Sequence, residues 1–170
     1  MSTSHLGYSA FDGSDFVEAG CFDLPKDKEI FEKIDLTVDF IVKKCTNLNI
    51  KDVYIEQYAS KFASNKSSIF TILTLAGFIE TVNYCLYKNN ISVKMINVNS
   101  ARKLAGVVLP KKTNRDLTKL TILKFIQNKI SEEQCSLLYE MKPRVPKPKD
   151  HCFDCADAII ISLAAAKQNP

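Results

Sequence analysis

The order in which two hydrophobic periods alternate along the 170 residues constrains the fold most. "HLGYSAF" and "FVEAGCFDL" are short β-like runs, and "DGSD" between them carries hairpin-turn chemistry. A helical period then runs from about Lys26 to Cys45 through Ile30, Ile34, Val38, Ile41 and Cys45, with acids near its start and Lys43 and Lys44 near its end. "DVYIEQY" predicts a strand, and a polar loop leads to a long helix over about Ser67 to Lys88. "ISVKMINV" is the next strand, and "NSARKLAG" a short helix capped by Asn99 or Ser100 and stopped at Gly106. Helices are expected over Asp116 to Lys129, over Ser131 to about Met141 and across "DCADAIIISLAAAK", with the proline-rich "KPRVPKPKD" extended. The order ββ-α-β-α-β-α-α-α predicts an α/β fold, a mixed sheet covered on both faces, in a single domain over residues 1–170.

The composition fits a chain with its own core: 46% of residues are hydrophobic and 25% charged. No uninterrupted apolar run approaches the roughly 20 residues of a membrane span, and no membrane partner is expected. The six cysteines fall mostly inside apolar-periodic segments, which reads as reduced thiols in an intracellular, reducing compartment. The net charge of +4 is unevenly spread. Ser100–Asp150 holds 12 Lys/Arg against 5 Asp/Glu, a net of +7, and the remainder holds 11 against 14, a net of −3. A basic stretch of that kind suits either a polyanion such as nucleic acid or a solvated lysine-rich surface.

Three acids stand where chemistry is expected. Glu56 lies near the C-terminal end of a strand, the edge at which α/β sheets open their ligand crevices. The plainer reading is an exposed acid on an edge strand. Asp154 and Asp157 are spaced i, i+3, which places both carboxylates on one face of the first turn of the last helix. Helix N-termini favour acids in any case. A pair of carboxylates entering an apolar helix also offers oxygens to a hard cation such as Mg²⁺. Two such ions about 4 Å apart stabilise the attacking and leaving oxygens of a phosphodiester. "HCFDC" offers His151, Cys152 and Cys155 as a rival zinc set, but a structural zinc site takes four ligands and no second Cys pair follows.

Taken together, the motifs resemble the RuvC-like Holliday junction resolvases of the RNase H-like nuclease superfamily, over nearly the whole chain. "STSHLGYSAF" resembles the family's D-x-[GS]-[TS]-S-x-x-G-[YF] turn and second strand, and "FVEAGCFDL" its third. "YIEQYASKFASNKSS" resembles the strand Glu-Gln followed by a loop and long helix. "MINVNSARKLAG" resembles the fifth strand and short helix, and "DCADAIIISLAA" the terminal D-x-x-D-A-x-A helix.

The resemblance implies a mixed five-stranded sheet and a metal-dependent endonuclease that resolves four-way DNA junctions with two Mg²⁺ or Mn²⁺ ions. Glu56, Asp154 and Asp157 would be the catalytic metal ligands, although some relatives carry His at the place of Asp154. Lys111, Lys112, Arg115 and Lys119 would meet phosphates, and Tyr58 or Phe62 would wedge into the junction. The long helix after Glu56 would form a homodimer interface, matching the two-fold symmetry of a junction. The family's first strand and its Asp would fall just before Met1, so the chain is expected to be an N-terminally truncated form whose activity depends on a residue it lacks. Two alternatives stand beside this: a catalytically inactive nucleic-acid-binding protein of the same fold, and an RNase H-like nuclease with another substrate, such as an RNA–DNA hybrid.

Overall fold

A computed structural model of the chain describes residues 3–57, 69–110, 115–131, 139–140, 147–148 and 152–168. They form two compact units, Met1–Leu6 with Asp23–Asn97, and Gly7–Phe22 with Val98–Pro170. The strands group into three two-stranded sheets among the described residues: β1 (His5–Asp12) with β2 (Asp15–Asp23), β3 (Val53–Glu56) with β4 (Val93–Ile96), and β5 (Tyr139–Glu140) with β6 (Lys147–Pro148). The four longer strands fall on the four runs with β character. Their hydrogen bonds form separate ladders rather than the single mixed sheet expected.

In the first unit, α1 (Ile30–Asn47) starts where the Glu29 N–H donates to Glu32 Oε2 at 2.9 Å and Lys28 Nζ to Glu32 Oε1 at 2.7 Å. Glu32 thereby takes up a helix-end donor that has no partner within the helix. The two interactions hold its carboxyl below the usual range and raise Lys28. The inner face of α1, Ile34, Thr37, Val38 and Cys45, packs on α2 (Ile69–Lys88), which buries Phe78, Ile79, Val82 and Leu86. Thr37, wholly buried, spends its hydroxyl on the Lys33 carbonyl at 2.8 Å, so burial leaves no orphan donor. Asn49 and Asn90, with φ of 51° and 59°, turn the chain out of the two helices. β3 and β4 pair in parallel, Val53 opposite Val93 and Glu56 opposite Ile96, with α2 as the crossover between them.

Helix α2 departs from expectation. By length and composition it is long enough and apolar enough to cross a membrane, and only 22% of its most apolar window is buried. Threonines, Asn83 and Glu80 interrupt the apolar run, which hides this in a search for continuous hydrophobicity. Phe70 (78% exposed), Leu73, Tyr84 and Tyr87 (72%) leave one face open.

In the second unit, the hairpin between β1 and β2 closes at Gly13, whose φ of 58° suits a two-residue loop, and Phe11 meets Phe16 edge-on at 5.5 Å. The core is α5 (Cys152–Gln168), which buries Cys152, Cys155, Ala156, Ile159, Ile160, Ile161, Ala164 and Ala165. Such an all-round apolar helix needs cover on several sides. α3 (Val98–Ala105) lies along it through the small side chains of Ala101 and Ala105, and α4 (Arg115–Gln127) through contacts that accompany burial of Ile122, Leu123 and Ile126. α3 begins at Val98, so the cap lies before Asn99 and Ser100, and it ends at Gly106 with φ 95°. The helix expected to reach about Met141 is corrected at Tyr139–Glu140, which pair antiparallel with Lys147–Pro148; strand pairing overrides the helical period there.

Candidate functional site

β1 sets the entrance of α5. Gly7 runs so close to the start of that helix that a Cβ there would lie 2.9 Å from Asp154 Cβ and nearer still to the Asp154 carbonyl group. One turn beyond Asp157, the hydroxyls of Ser9 and Ser162 share a hydrogen bond of 2.7 Å. The strand is thus fitted to the helix at two points, and Asp154 and Asp157 project from its first turns as the i, i+3 spacing predicts.

The two carboxylates line a cleft of about 320 Å³ with Arg102 from α3, Thr118, Lys119 and Ile122 from α4, and Phe153. Lys119 Nζ sits 4.1 Å from the centre of the Phe153 ring, a cation–π contact that keeps the ammonium at the rim. Arg102 Nη2 donates to Asp157 Oδ1 at 2.8 Å, and Arg102 Nη1 to Asn99 Oδ1 at 3.3 Å. The ion pair is largely shielded, with the Arg102 side chain 16% exposed and that of Asp157 29%. Arg102 Nε is buried and has no hydrogen-bond partner among the described residues. Two carboxylates and two cations therefore meet in one cleft.

That composition bears on a metal. Hard cations take several oxygens at once, yet Asp157 already accepts from a guanidinium, and no group of three His, Cys, Asp or Glu among the described residues is gathered to hold an ion. The residues as placed do not fit a divalent cation. The rival zinc set is not gathered among the described residues either: Cys152 and Cys155 are buried at the start of α5 with no further ligands beside them, and His151 lies outside the described residues.

Of the expected site residues, Asp154, Asp157 and Lys119 come together here. Glu56 ends β3 in the first unit, half-buried. Arg115 opens α4. Lys111, Lys112, Tyr58 and Phe62 lie outside the described residues. Arg102 was missed as an individual, since in the sequence it is one of the basic residues of Ser100–Asp150 and only the docking of α3 onto α5 brings it to Asp157.

No protein-family model and no curated protein sequence matches the chain. Solved structures do, and they place it in a class: it has an α/β fold similar to that of the RuvC resolvases. Thermus thermophilus RuvC in complex with a Holliday junction substrate aligns with a TM-score of 0.57 at 10% identity, over 98% of this chain and 88% of that one. A second Thermus thermophilus RuvC structure aligns with a TM-score of 0.53 at 13% identity, over 98% and 89%.

Proposed function

We propose that the chain is a structure-selective endonuclease of the Holliday junction resolvase type, acting on four-way DNA junctions in recombination, repair or genome processing; the Mg²⁺ or Mn²⁺ that the resemblance implies is an arm of the test below, since the cleft as placed is not built to hold it. The observation that carries this reading is the cleft in which Asp154 and Asp157 meet Lys119 and Arg102. The likeness to RuvC, one of whose structures holds a junction, supports it, as does the basic stretch Ser100–Asp150. In this reading Lys119 engages a phosphate at the rim, Lys111, Lys112 and Arg115 extend that contact, and Tyr58 or Phe62 enters the junction. In this reading Asp154 and Asp157 are the acids of the cleft. The setting is intracellular and reducing. The partner protein is a second copy, through the open face of α2, where Phe70, Leu73, Gly77, Glu80, Tyr84 and Tyr87 repeat at alternating steps of three and four.

A second reading, junction binding without cutting, is favoured by the Arg102–Asp157 pair, which leaves the cleft neutralised by its own side chains. Incubation with a synthetic four-way junction, a linear duplex and an RNA–DNA hybrid, in Mg²⁺, Mn²⁺ or chelator, separates these. Paired symmetric cuts in the junction support the endonuclease. Preferential binding without cuts supports the second reading, and preferential cutting of the hybrid moves the substrate. Equal affinity for junction and linear duplex, with no cutting, defeats both junction readings.

A further inference from the structure

Resting on the reading of the open face of α2 as the seat of a second copy, we propose that two chains pair their α2 helices antiparallel, about a two-fold axis midway between Gly77 and Glu80, and that Glu80 keeps this dimer weak enough to come apart. The exposed stripe Phe70, Leu73, Gly77, Glu80, Tyr84, Tyr87 has the same spacing from either end, steps of three, four, three, four and three. Its centre is also the centre of the helix Ile69–Lys88, so an antiparallel pair overlaps over the full length. In a two-fold interface every contact occurs twice, residue i on j and j on i. About this centre Phe70 meets the partner's Tyr87, Leu73 the partner's Tyr84, and Gly77 the partner's Glu80. The exposures match about the same point: 78% and 72% for the outer two, 63% and 61% for the inner two. Gly77 has nothing within 4 Å of where a Cβ would stand, which leaves room opposite it for a glutamate stem. A parallel pair would set Glu80 directly against its own copy within an apolar seam, and would align the two helix dipoles.

The size of the seam sets its strength. Large aromatic side chains bury about 150–250 Å² each, so the stripe removes roughly 1,000 Å² from water over both copies, the least that a specific interface needs. Within it the two Glu80 side chains are offset by three residues, about 4.5 Å along helices packed about 8–10 Å apart. Like charges at that range, partly withdrawn from water, oppose association. A marginal apolar area with a repulsive centre makes a reversible dimer.

The test is sedimentation velocity of the full chain over a dilution series, with far-UV circular dichroism checking that each variant is folded. Glu80→Gln should dimerise on the order of tenfold more tightly than wild type. Leu73→Lys with Tyr84→Glu, and Leu73→Lys with Tyr84→Lys, remove the same apolar groups. In the antiparallel pair the first sets opposite charges against each other twice and the second sets like charges, so the first should stay dimeric at concentrations where the second is monomeric. A parallel pair opposes position 73 to 73 and 84 to 84, and makes the first no tighter than the second; that result overturns the proposal. Should these variants not fold, Phe70→Lys with Tyr87→Glu or with Tyr87→Lys repeats the comparison on the outer residues. A monomeric wild type beside a dimeric Glu80→Gln supports the proposal. Both monomeric at every concentration overturns it together with the dimer reading, whereas a dimer no tighter in Glu80→Gln overturns it alone. Co-sedimentation with neutral phosphatidylcholine vesicles in place of self-association gives the face to a membrane, and overturns it as well.

Discussion

Replacing Gly7 with alanine tests the fit of β1 against α5. The new methyl would sit 2.9 Å from Asp154 Cβ and closer to the Asp154 carbonyl carbon and oxygen, well inside ordinary contact distance. These are atoms of a helix backbone and its first side-chain carbon, so no flexible tip can swing aside. Relief requires the strand or the start of α5 to move, and overpacking of this kind costs about 1–3 kcal/mol. For a chain of this size each kcal/mol shifts the melting temperature by about 2–4 °C, so a mid-range cost of about 2 kcal/mol lowers it by about 4–8 °C. Gly77 supplies the opposite case. It lies within α2, is exposed, and has nothing within 4 Å of where its Cβ would be. Gly77→Ala should therefore stabilise by about 0.5–1 kcal/mol, because alanine loses less backbone freedom in a helix. Thermal unfolding followed by far-UV circular dichroism reads both variants. Opposite signs are expected; a Gly7→Ala protein as stable as wild type would refute the close fit.

Asp157→Ala should destabilise by about 1–3 kcal/mol in urea unfolding, because it leaves the Arg102 charge shielded and unmatched; an unchanged midpoint contradicts the ion pair. The Cys155 thiol, pushed up to about 12 mainly by burial, stays protonated in the folded chain while the unfolded chain ionises near the ordinary thiol value. Its contribution is thus fully present below that value and falls by roughly 1 kcal/mol per pH unit above it, and Cys155→Ala should unfold with a shallower alkaline dependence than wild type. Glu32 behaves with the opposite sign. Its lowered pKa makes its contribution present at neutral pH and lost as acid protonates it, so Glu32→Gln should flatten the acid limb of the helicity profile. On the open face of α2, Leu73→Lys with Tyr84→Lys should convert a dimer to a monomer in sedimentation velocity; a wild-type chain that sediments as a monomer removes that partner.

The sequence made some parts of this structure readable because their causes are local. Alternation and turn residues marked β1 and β2, and Asn90 and Gly106 marked helix ends because each must accept a positive φ. The spacing of Asp154 and Asp157 put both on one face of the last helix, and both line one cleft once α3 and α4 are docked against it. What escaped depends on partners distant in sequence. Tyr139–Glu140 follow a helical period, yet pair with Lys147–Pro148 inside the proline-rich stretch. α2 carries apolar residues around most of its circumference, so periodicity cannot say that Phe78 and Val82 are buried while Phe70 and Tyr87 are open. Arg102 is indistinguishable in sequence from its neighbour Lys103; the difference is made by which side of α3 meets α5.

The shortness of α3 has its own consequence. Eight residues form too brief a helix to persist alone in water. Its helical state is borrowed from α5, by alanine packing and by the lysine that clasps its last carbonyl. Lys167 is ten positions along α5 from Asp157, so about 15 Å of helix separates the clasp from the carboxylate. The charge state of the cleft is in this way leveraged from the far end of the helix: loosening the clasp would unwind the support that aims Arg102, without altering any residue that lines the cleft.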